Sequence, residues 1–542
     1  VRIVFVLTIN GRQVRQVRRL LKAIYHTRHY YFIHVDMRQE YLYRELFPLE
    51  SLLPNIFLAR RRFATIWGGI SLLQAHLEFM KEVLNKDWKW DYYINLSESD
   101  YPIKKLESLE IFLTEYKGHT FVKSHGHDTA RFIRKQGLDK MFVECDTHMW
   151  RLGPKTLPTN IVFDGGSDWV ALHRGFAQYV ITSEDSLVSG LKTFYKYSLL
   201  PAESFFHTVL HNSEFCDKWM DNNLHLTNWR RAQGCKCQHK HVVDWCGCSP
   251  NVLTTHSLDK LMKYESKATY FARKFDPVID QDIINSMDVY MFGKDMRDVR
   301  ALTDYWQNEY HYLDDKEATN DVYLTFYSSF SRRSVIDLLP QTTGQCLVTP
   351  TQIVEANVLY QRDRFHGVIV KYNGQVKDGG SVMLETHLVE RWDYKVLDPT
   401  GSMGRFINIQ IGSNFDVKEN IFRNYAKLLG PYSEIEVKHM WGPGPEFTVS
   451  VAFIDPADIV AVAHDVDIPK SGHIGSHKPE LKLPLRPGVW MCKLMINYKV
   501  VLESRFLVLP LTTYHAVPLN ITQAKLFHNG PQGGLYAERK FS

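Results

Sequence analysis

The stretch "VRIVFVLTIN", residues 1–10, opens the chain on an almost unbroken run of valine, isoleucine, phenylalanine and leucine. A strand covered on one face alternates apolar and polar residues, whereas a continuous apolar run belongs to a strand covered on both, as in a parallel sheet. The residues that follow support that reading. Val14, Val17, Leu21 and Ile24 recur at helical spacing beneath an arginine-rich outer face, and "YYFIHVD" (30–36) is a second apolar strand ending at Asp36. "NIFLA" (55–59), the helix "GISLLQAHLEFMKEVL" (69–84) after the turn "WGG", and "DYYINLS" (91–97) running into "ESDYP" (98–102) continue the rhythm. Strand, helix and strand in repetition predict an α/β fold. Such a sheet binds its ligand beyond the carboxyl ends of its strands, where Asp36, Thr65, Trp67, Ser97 and Asp100 fall. Neither G-x-G-x-x-G nor a P-loop occurs, which argues against a dinucleotide enzyme or an ordinary NTPase.

Past about residue 275 the pattern changes to alternation at period two, with turn signals at Asn373-Gly374 and Gly379-Gly380. "FTVSVAFID" (447–455), "GVWMCKLMI" (488–496) and "VVLESRFLVLP" (500–510) are the clearest strands, and together they predict a β-rich, sandwich-like second half. The expected division is a catalytic domain over residues 1–255, then a connecting segment and β-rich domain over 256–542. A chain of 542 residues, 44% hydrophobic and 23% charged, is ordinary globular material with room for several cores. The formal charge of +5 is small for that length, so nucleic acid is not an implied partner. No uncharged apolar run approaches the length of a membrane span, and the first residues read as a strand rather than a signal peptide. Any membrane anchor is therefore expected upstream of this sequence.

Four of the eight cysteines fall in "CKCQHKHVVDWCGC": Cys235, Cys237, Cys246 and Cys248, with His239 and His241 between them. Zinc is one reading, although structural zinc sites more often use C-x2-4-C spacing; local disulfides and a secretory compartment are the other, and fit better. Cys145, Cys216, Cys346 and Cys492 are isolated, and Asn-x-Ser/Thr tripeptides begin at Asn95 and Asn520.

One acid stands out. In "SLLPAESFFHTVLHN" (198–212), Glu203 follows Pro201 and precedes an apolar run. An acid in a helix's first turn is common punctuation, favoured by the helix dipole. Helical spacing, however, puts Glu203 on the stripe of Phe206, His207 and Leu210, against a protein wall, and a half-desolvated carboxylate is a candidate general base. Around it, Asp36 ends a strand, "TIWGG" (65–69) offers an aromatic wall beside glycines, "DGGSDW" (164–169) presents Asp168 and Trp169, and Arg273-Lys274 in "YFARKF" (270–275) is a basic pair suited to a diphosphate. Each is weak alone; together they suggest a nucleotide-sugar site.

The same segments carry a resemblance. "TIWGG", "INLSESDYPI", "SHGHDTARFIRKQGLDKMFVECDTHMWRLG", "DGGSDWVALHR", "LLPAESFFHTVL", "GCKCQHKHVVDWCGCSPN" and "YFARKF", spread in order along the chain, closely resemble peptide O-xylosyltransferases of glycosyltransferase family 14. The resemblance implies a GT-A-like, Rossmann-type glycosyltransferase domain followed by the β-rich domain. It implies inverting transfer of xylose from UDP-xylose to serine in Ser-Gly sites of proteoglycan core proteins, with acidic residues nearby, starting the heparan and chondroitin sulfate linker. On it, Glu203 is the catalytic base and Asp168 and Trp169 hold the xylose. Thr8, Asp36, Thr65, Ile66 and Trp67 line the nucleotide-sugar site, and Ser249, Arg273 and Lys274 lie near the diphosphate. No cofactor and no divalent metal would be required, since the turn after "DYYINL" reads Ser97-Glu98-Ser99-Asp100 instead of D-x-D. The cysteine cluster would pair as Cys235–Cys248 and Cys237–Cys246. The location implied is the Golgi or secretory lumen, as a type II membrane protein anchored upstream or a secreted form. Two other readings stand beside it: a β-1,6-N-acetylglucosaminyltransferase of the same family, and a non-catalytic module binding glycoprotein cores.

Overall fold

The computed structural model describes residues 1–145, 148–229, 247–293, 304–314, 320–338, 347–361, 364–389 and 394–528. The chain divides into two compact units, Val1–Gln307 and Asn308–Ser542.

In the first unit the strands are, in chain order, β1 (Ile3–Ile9), β2 (Tyr30–Val35), β3 (Ile56–Leu58), β4 (Tyr92–Leu96), β5 (Tyr101–Pro102), β6 (Thr120–Ser124), β7 (Lys140–Cys145), β8 (His148–Pro154), β9 (Gly166–His173), β10 (Trp219–Asp221), β11 (His225–Thr227) and β12 (Phe271–Arg273). The main sheet has the order β10-β6-β9-β4-β1-β2-β3. Strand β1 runs parallel to both neighbours, which is why its sequence is apolar throughout: every residue of it is buried. Ile3, Phe5, Leu7 and Ile9 join one core cluster, and Val4 and Val6 join the other. The helix Val14–Ile24 covers the first face with Val14, Val17, Leu20 and Leu21, and the helix Ile70–Asn85 covers the second with Leu73, Phe79, Met80 and Val83. The apolar stripes read from the sequence are thus the faces laid on the sheet.

One strand reverses. Strand β9 pairs antiparallel with β4 and β6, so its beginning, not its end, reaches the edge where β1, β2 and β4 finish. That reversal brings the "DGGSDW" segment to the functional edge.

The first compact unit runs on to Gln307, past the expected catalytic domain of residues 1–255. Strand β12 lies between β11 and β5 in a small sheet, and the helix Asp282–Phe292 buries Ile283, Ile284, Met287 and Met291 in the same cluster as Ile3 and Phe5. Residues beyond 255 therefore complete this core.

The second unit is rich in strands. Val348–Gln361, Arg364–Val376 and Ser381–Leu388 pair antiparallel in one sheet. A five-stranded sheet with the order Tyr394–Val396, Lys499–Val508, Gly488–Ile496, Phe447–Ile454 and Val460–Ile468 shares a buried cluster with the three-stranded sheet of Phe406–Gly412, Glu436–Trp441 and His473–His477. Val449, Val451, Phe453, Trp490, Leu494 and Phe506 meet Ile409, Ile411, Val437 and Trp441 there, as in a sandwich. Among the described residues no helix is long and apolar enough to cross a membrane.

Candidate active site

Glu203 is presented by a short device. Leu200 adopts the left-handed conformation, with φ at 50°, Pro201–Glu203 form one turn of 3-10 helix, and Ser204 breaks from helical geometry before the helix Phe205–His211 begins. The expected single helical stripe is therefore interrupted: Phe206, His207 and Leu210 are buried, while the half-buried Glu203 sits on the preceding turn. The turn is held from behind. Ser204 Oγ donates to the carbonyl of Asp164 at 2.8 Å and is hydrogen-bonded to the Tyr195 hydroxyl at 2.5 Å, both buried. Gly165 is required by this packing, because a Cβ there would lie 2.7 Å from the Glu203 carbonyl and 2.4 Å from the Phe132 ring.

The carboxyl of Glu203 is held well above the usual carboxylate range, first by burial and then by the negative charge of Asp168, with Arg273 opposing both. Asp168 is raised by burial as well; Arg273 and Lys274 pull it down, and Asp100 pushes it up. Glu203, Asp168 and Arg273 therefore form one electrostatic group. Asn95 fixes Asp168 from the neighbouring strand: its Nδ2 donates to the Asp168 carbonyl at 2.9 Å, and its Oδ1 accepts from the Val170 amide at 2.8 Å.

Trp169 stacks on His225 with ring centres 5.5 Å apart, and the Arg273 guanidinium lies 4.2 Å from the Trp169 ring centre. Arg273 Nε is 3.5 Å from Asp100 Oδ1, while Asp100 Oδ2 accepts from the amide and hydroxyl of Ser97 at 2.6 and 2.7 Å. Lys274 Nζ donates to Ser249 Oγ at 2.6 Å. The basic pair is thus split: Arg273 faces the tryptophan and the acids, and Lys274 reaches Ser249.

At the ends of β1 and β2, Asp36 is fully buried and accepts two bonds from the Arg38 side chain, at 2.7 and 2.8 Å, and one from the Thr65 amide at 3.0 Å. Burial pushes its carboxyl up, but these donors outweigh that and hold it below the ordinary value. The Thr65 hydroxyl donates to Asn10 Oδ1 at 3.1 Å; Thr8 is buried on β1 opposite His34; Ile66 is half-buried; and Trp67 is 43% exposed. The structure therefore joins Asp36 to Thr65, the first residue of Thr65–Trp67, places Thr8 one strand away beside His34, and groups Asp168, Trp169, Glu203 and Arg273, with Lys274 reaching Ser249. A main-chain bond from the Leu200 amide to the Gly68 carbonyl ties the loop after Thr65–Trp67 to the turn of Glu203.

Among the described residues several buried polar atoms here make no hydrogen bond: Thr8 Oγ1 and Trp169 Nε1, and the trio Asp100 Oδ1, Arg273 Nε and His225 Nε2, which face one another only at ion-pair distances of 3.5 and 3.9 Å. Such atoms are costly unless a ligand meets them, so their grouping points to a polar ligand. Among the described residues no group of three or more His, Cys, Asp and Glu side chains is placed to hold a metal ion. Cys248 is disulfide-bonded and so is not a free thiolate ligand; Cys235, Cys237 and Cys246, and with them the expected pairing, lie outside the described residues.

Sequence reasoning missed Arg38, His225, Asn95 and Glu144. Arg38 stands two residues beyond Asp36, a spacing that lets it fold back on the acid. Glu144 accepts the Ser71 amide at 2.6 Å and occupies the space over Gly69, so a side chain on the hairpin β7–β8 caps the helix that follows "TIWGG".

A model of the Core-2/I-branching enzyme family matches residues 3–256, and one of the xylosyltransferase C terminal matches residues 288–462. Xylosyltransferase 1 of Rattus norvegicus is 44% identical over the whole of this chain, which covers 67% of that protein. The chain belongs to the xylosyltransferase family. Xylosyltransferase 1 of Canis lupus familiaris and of Homo sapiens are each 44% identical across the full chain, covering 58% and 57% of those proteins, so the chain spans somewhat over half the length of these relatives. Family membership makes the first unit a GT-A-like fold and the second the strand-rich region that accompanies it.

Proposed function

We propose that the chain transfers xylose from UDP-xylose to a serine hydroxyl of a proteoglycan core protein, at Ser-Gly sites with acidic residues nearby, with inversion at the anomeric carbon. The observation that carries this reading is the presentation of Glu203 on a turn of its own, held between Gly165 and the Ser204–Tyr195 bond, in a chain of the xylosyltransferase family; burial and Asp168 raise its carboxyl, with Arg273 opposing. A carboxylate of raised pKa is a stronger base, as removal of a hydroxyl proton requires.

The step uses one base and one displacement. The serine Oγ attacks the anomeric carbon on the face opposite the diphosphate, and its proton passes to Glu203. The bond from that carbon to the diphosphate oxygen breaks, and the electron pair leaves with UDP. Water-excluding surroundings strengthen each charge interaction, so Arg273 and Lys274 would stabilise the departing diphosphate without a metal. Asp168 and Trp169 would seat the xylose, while Thr8, Asp36, Thr65, Ile66 and Trp67 receive the nucleoside and Ser249 the diphosphate side. The setting is the lumen of the secretory pathway, specifically the Golgi, where an upstream type II anchor would hold the protein.

A β-1,6-N-acetylglucosaminyltransferase would share the base and the first domain; the xylosyltransferase C-terminal match over residues 288–462 favours the xylosyl reading. A purely binding module would show no transfer from either donor while still binding UDP. The test is transfer to a Ser-Gly peptide followed by mass spectrometry, with UDP-xylose and UDP-N-acetylglucosamine offered separately in the presence of a chelator. Addition of a pentose alone supports the proposal. Addition of an N-acetylhexosamine, or of nothing until metal is restored, contradicts it.

A further inference from the structure

The sequence carries two Asn-x-Ser/Thr tripeptides, Asn95-Leu96-Ser97 and Asn520-Ile521-Thr522, and the fold treats them oppositely. Asn95 lies inside β4, 3% exposed, and both ends of its amide are consumed by β9. Ser97 is committed too, its hydroxyl donating to Asp100. A saccharide on Asn95 Nδ2 would have to stand where Asp168 and Val170 stand, so the modified chain could not close β4 on β9.

Asn520 is exposed at the entrance to the helix Ile521–His528. Its Oδ1 accepts from the Gln523 amide at 2.9 Å, and its own amide donates to Gln523 Oε1 at 3.2 Å, a reciprocal cap. That cap uses the side-chain oxygen and the main-chain nitrogen; Nδ2 takes no part. A substituent on Nδ2 leaves the amide carbonyl an acceptor, so glycan and cap are compatible. Val517 and Ile521, 64% and 77% exposed, are apolar surface in the same segment that a glycan would shield.

We propose that Asn520 carries an N-linked glycan and that Asn95 does not. The co-reactant is a lipid-diphosphate-linked oligosaccharide. Asn520 Nδ2 bonds to the anomeric carbon, the bond from that carbon to the diphosphate oxygen breaks, one amide proton is released, and the lipid diphosphate leaves. Occurrence in the native cell rests on the secretory-lumen reading above; the site itself is tested apart from it.

The chain, secreted from eukaryotic cells behind a cleavable leader, is digested with peptide N-glycosidase in water of heavy oxygen and mapped by mass spectrometry. Expected is heavy-oxygen aspartate at position 520 and unmodified asparagine at 95. Thr522→Ala, which keeps the Asn520 cap, should remove the entire glycosidase-sensitive mass and leave the melting temperature unchanged. Label at position 95, or an unlabelled peptide at 520 in secreted folded protein, overturns the proposal. Xylosyl transfer measured on the same samples reports separately on the proposed function.

Discussion

The main-chain amide of Leu200 donates to the carbonyl of Gly68 at 2.8 Å, fastening the turn that presents Glu203 to the loop of Thr65–Trp67. Around that bond Phe142, Met149 and Leu199 form a small buried cluster with Ile66 and Leu200 against it. The hairpin β7–β8 thus packs against both loops, and it makes polar contacts there through Glu144 on the Ser71 amide and the Phe142 amide on the Tyr197 carbonyl. Replacing Glu144 by Ala should cost about 1 kcal/mol, as for loss of a helix cap, and raise the donor KM several-fold more than the acceptor KM. Glu144→Gln, which retains an acceptor oxygen, should restore most of both. Steady-state kinetics with a thermal melt of each variant checks this.

Arg273 is the cation that opposes the raised pKa of both Glu203 and Asp168. A base works deprotonated, so activity rises with pH through its pKa. Removing Arg273 takes away the opposing charge, and the acid limb of the kcat/KM profile should move to higher pH. Arg273→Ala should also lower kcat by about 100-fold, the scale for losing one charge-stabilising group in a transition state. Arg273→Lys keeps a charge but not the guanidinium over the Trp169 ring, and should recover the pH limb better than the rate.

The second unit holds four histidines in contact across its sheets. His464 and His477 stack with ring centres 3.6 Å apart, and His439 and His473 at 5.1 Å. Burial pushes His439 and His464 down to about 4, and neighbouring imidazoles push the same way, with Asp465 opposing at His464. These groups are neutral when folded and take up protons when unfolded below pH 6.5, so stability falls as pH drops from there toward about 4. His439, fully buried and accepting from Trp441 Nε1 at 2.9 Å, accounts for up to roughly 3 kcal/mol of that loss. Denaturant midpoints between pH 7 and 4.5 check it; a flat profile contradicts it.

Cys492 is buried in the second unit's core, and burial pushes its thiol up to about 12, whereas Cys145 and Cys216 are exposed free thiols. Brief alkylation of the native protein should modify Cys145 and Cys216 and spare Cys492 until denaturant is added. Peptide mapping reads the result directly.

The parallel strands were legible because a strand buried on both faces writes itself as an unbroken apolar run, and Asp36 was legible as the residue that ends one. The direction of β9 was not, since its residues are equally apolar either way; only pairing with β4 and β6 decides that Asp168 and Trp169 reach the functional edge. The packing of residues beyond 255 onto the first core was hidden for a related reason: β12 has three residues, too few for any periodicity, and owes its place to β11 and β5. Glu203 was read as a candidate base on a continuous helix, but the left-handed Leu200 and the break at Ser204 give it a turn of its own. Glu144 and His225 act on residues far away in sequence, through contacts that no local pattern encodes.

The most direct test is the Glu203→Gln variant, with xylose transfer to a Ser-Gly peptide and UDP affinity measured on one preparation. Glutamine keeps the size of the side chain but cannot accept the serine proton, so turnover should fall by at least about 100-fold, the lower end for a positioned general base, with UDP affinity little changed. Turnover near the wild-type rate would contradict the assignment of Glu203 as the base.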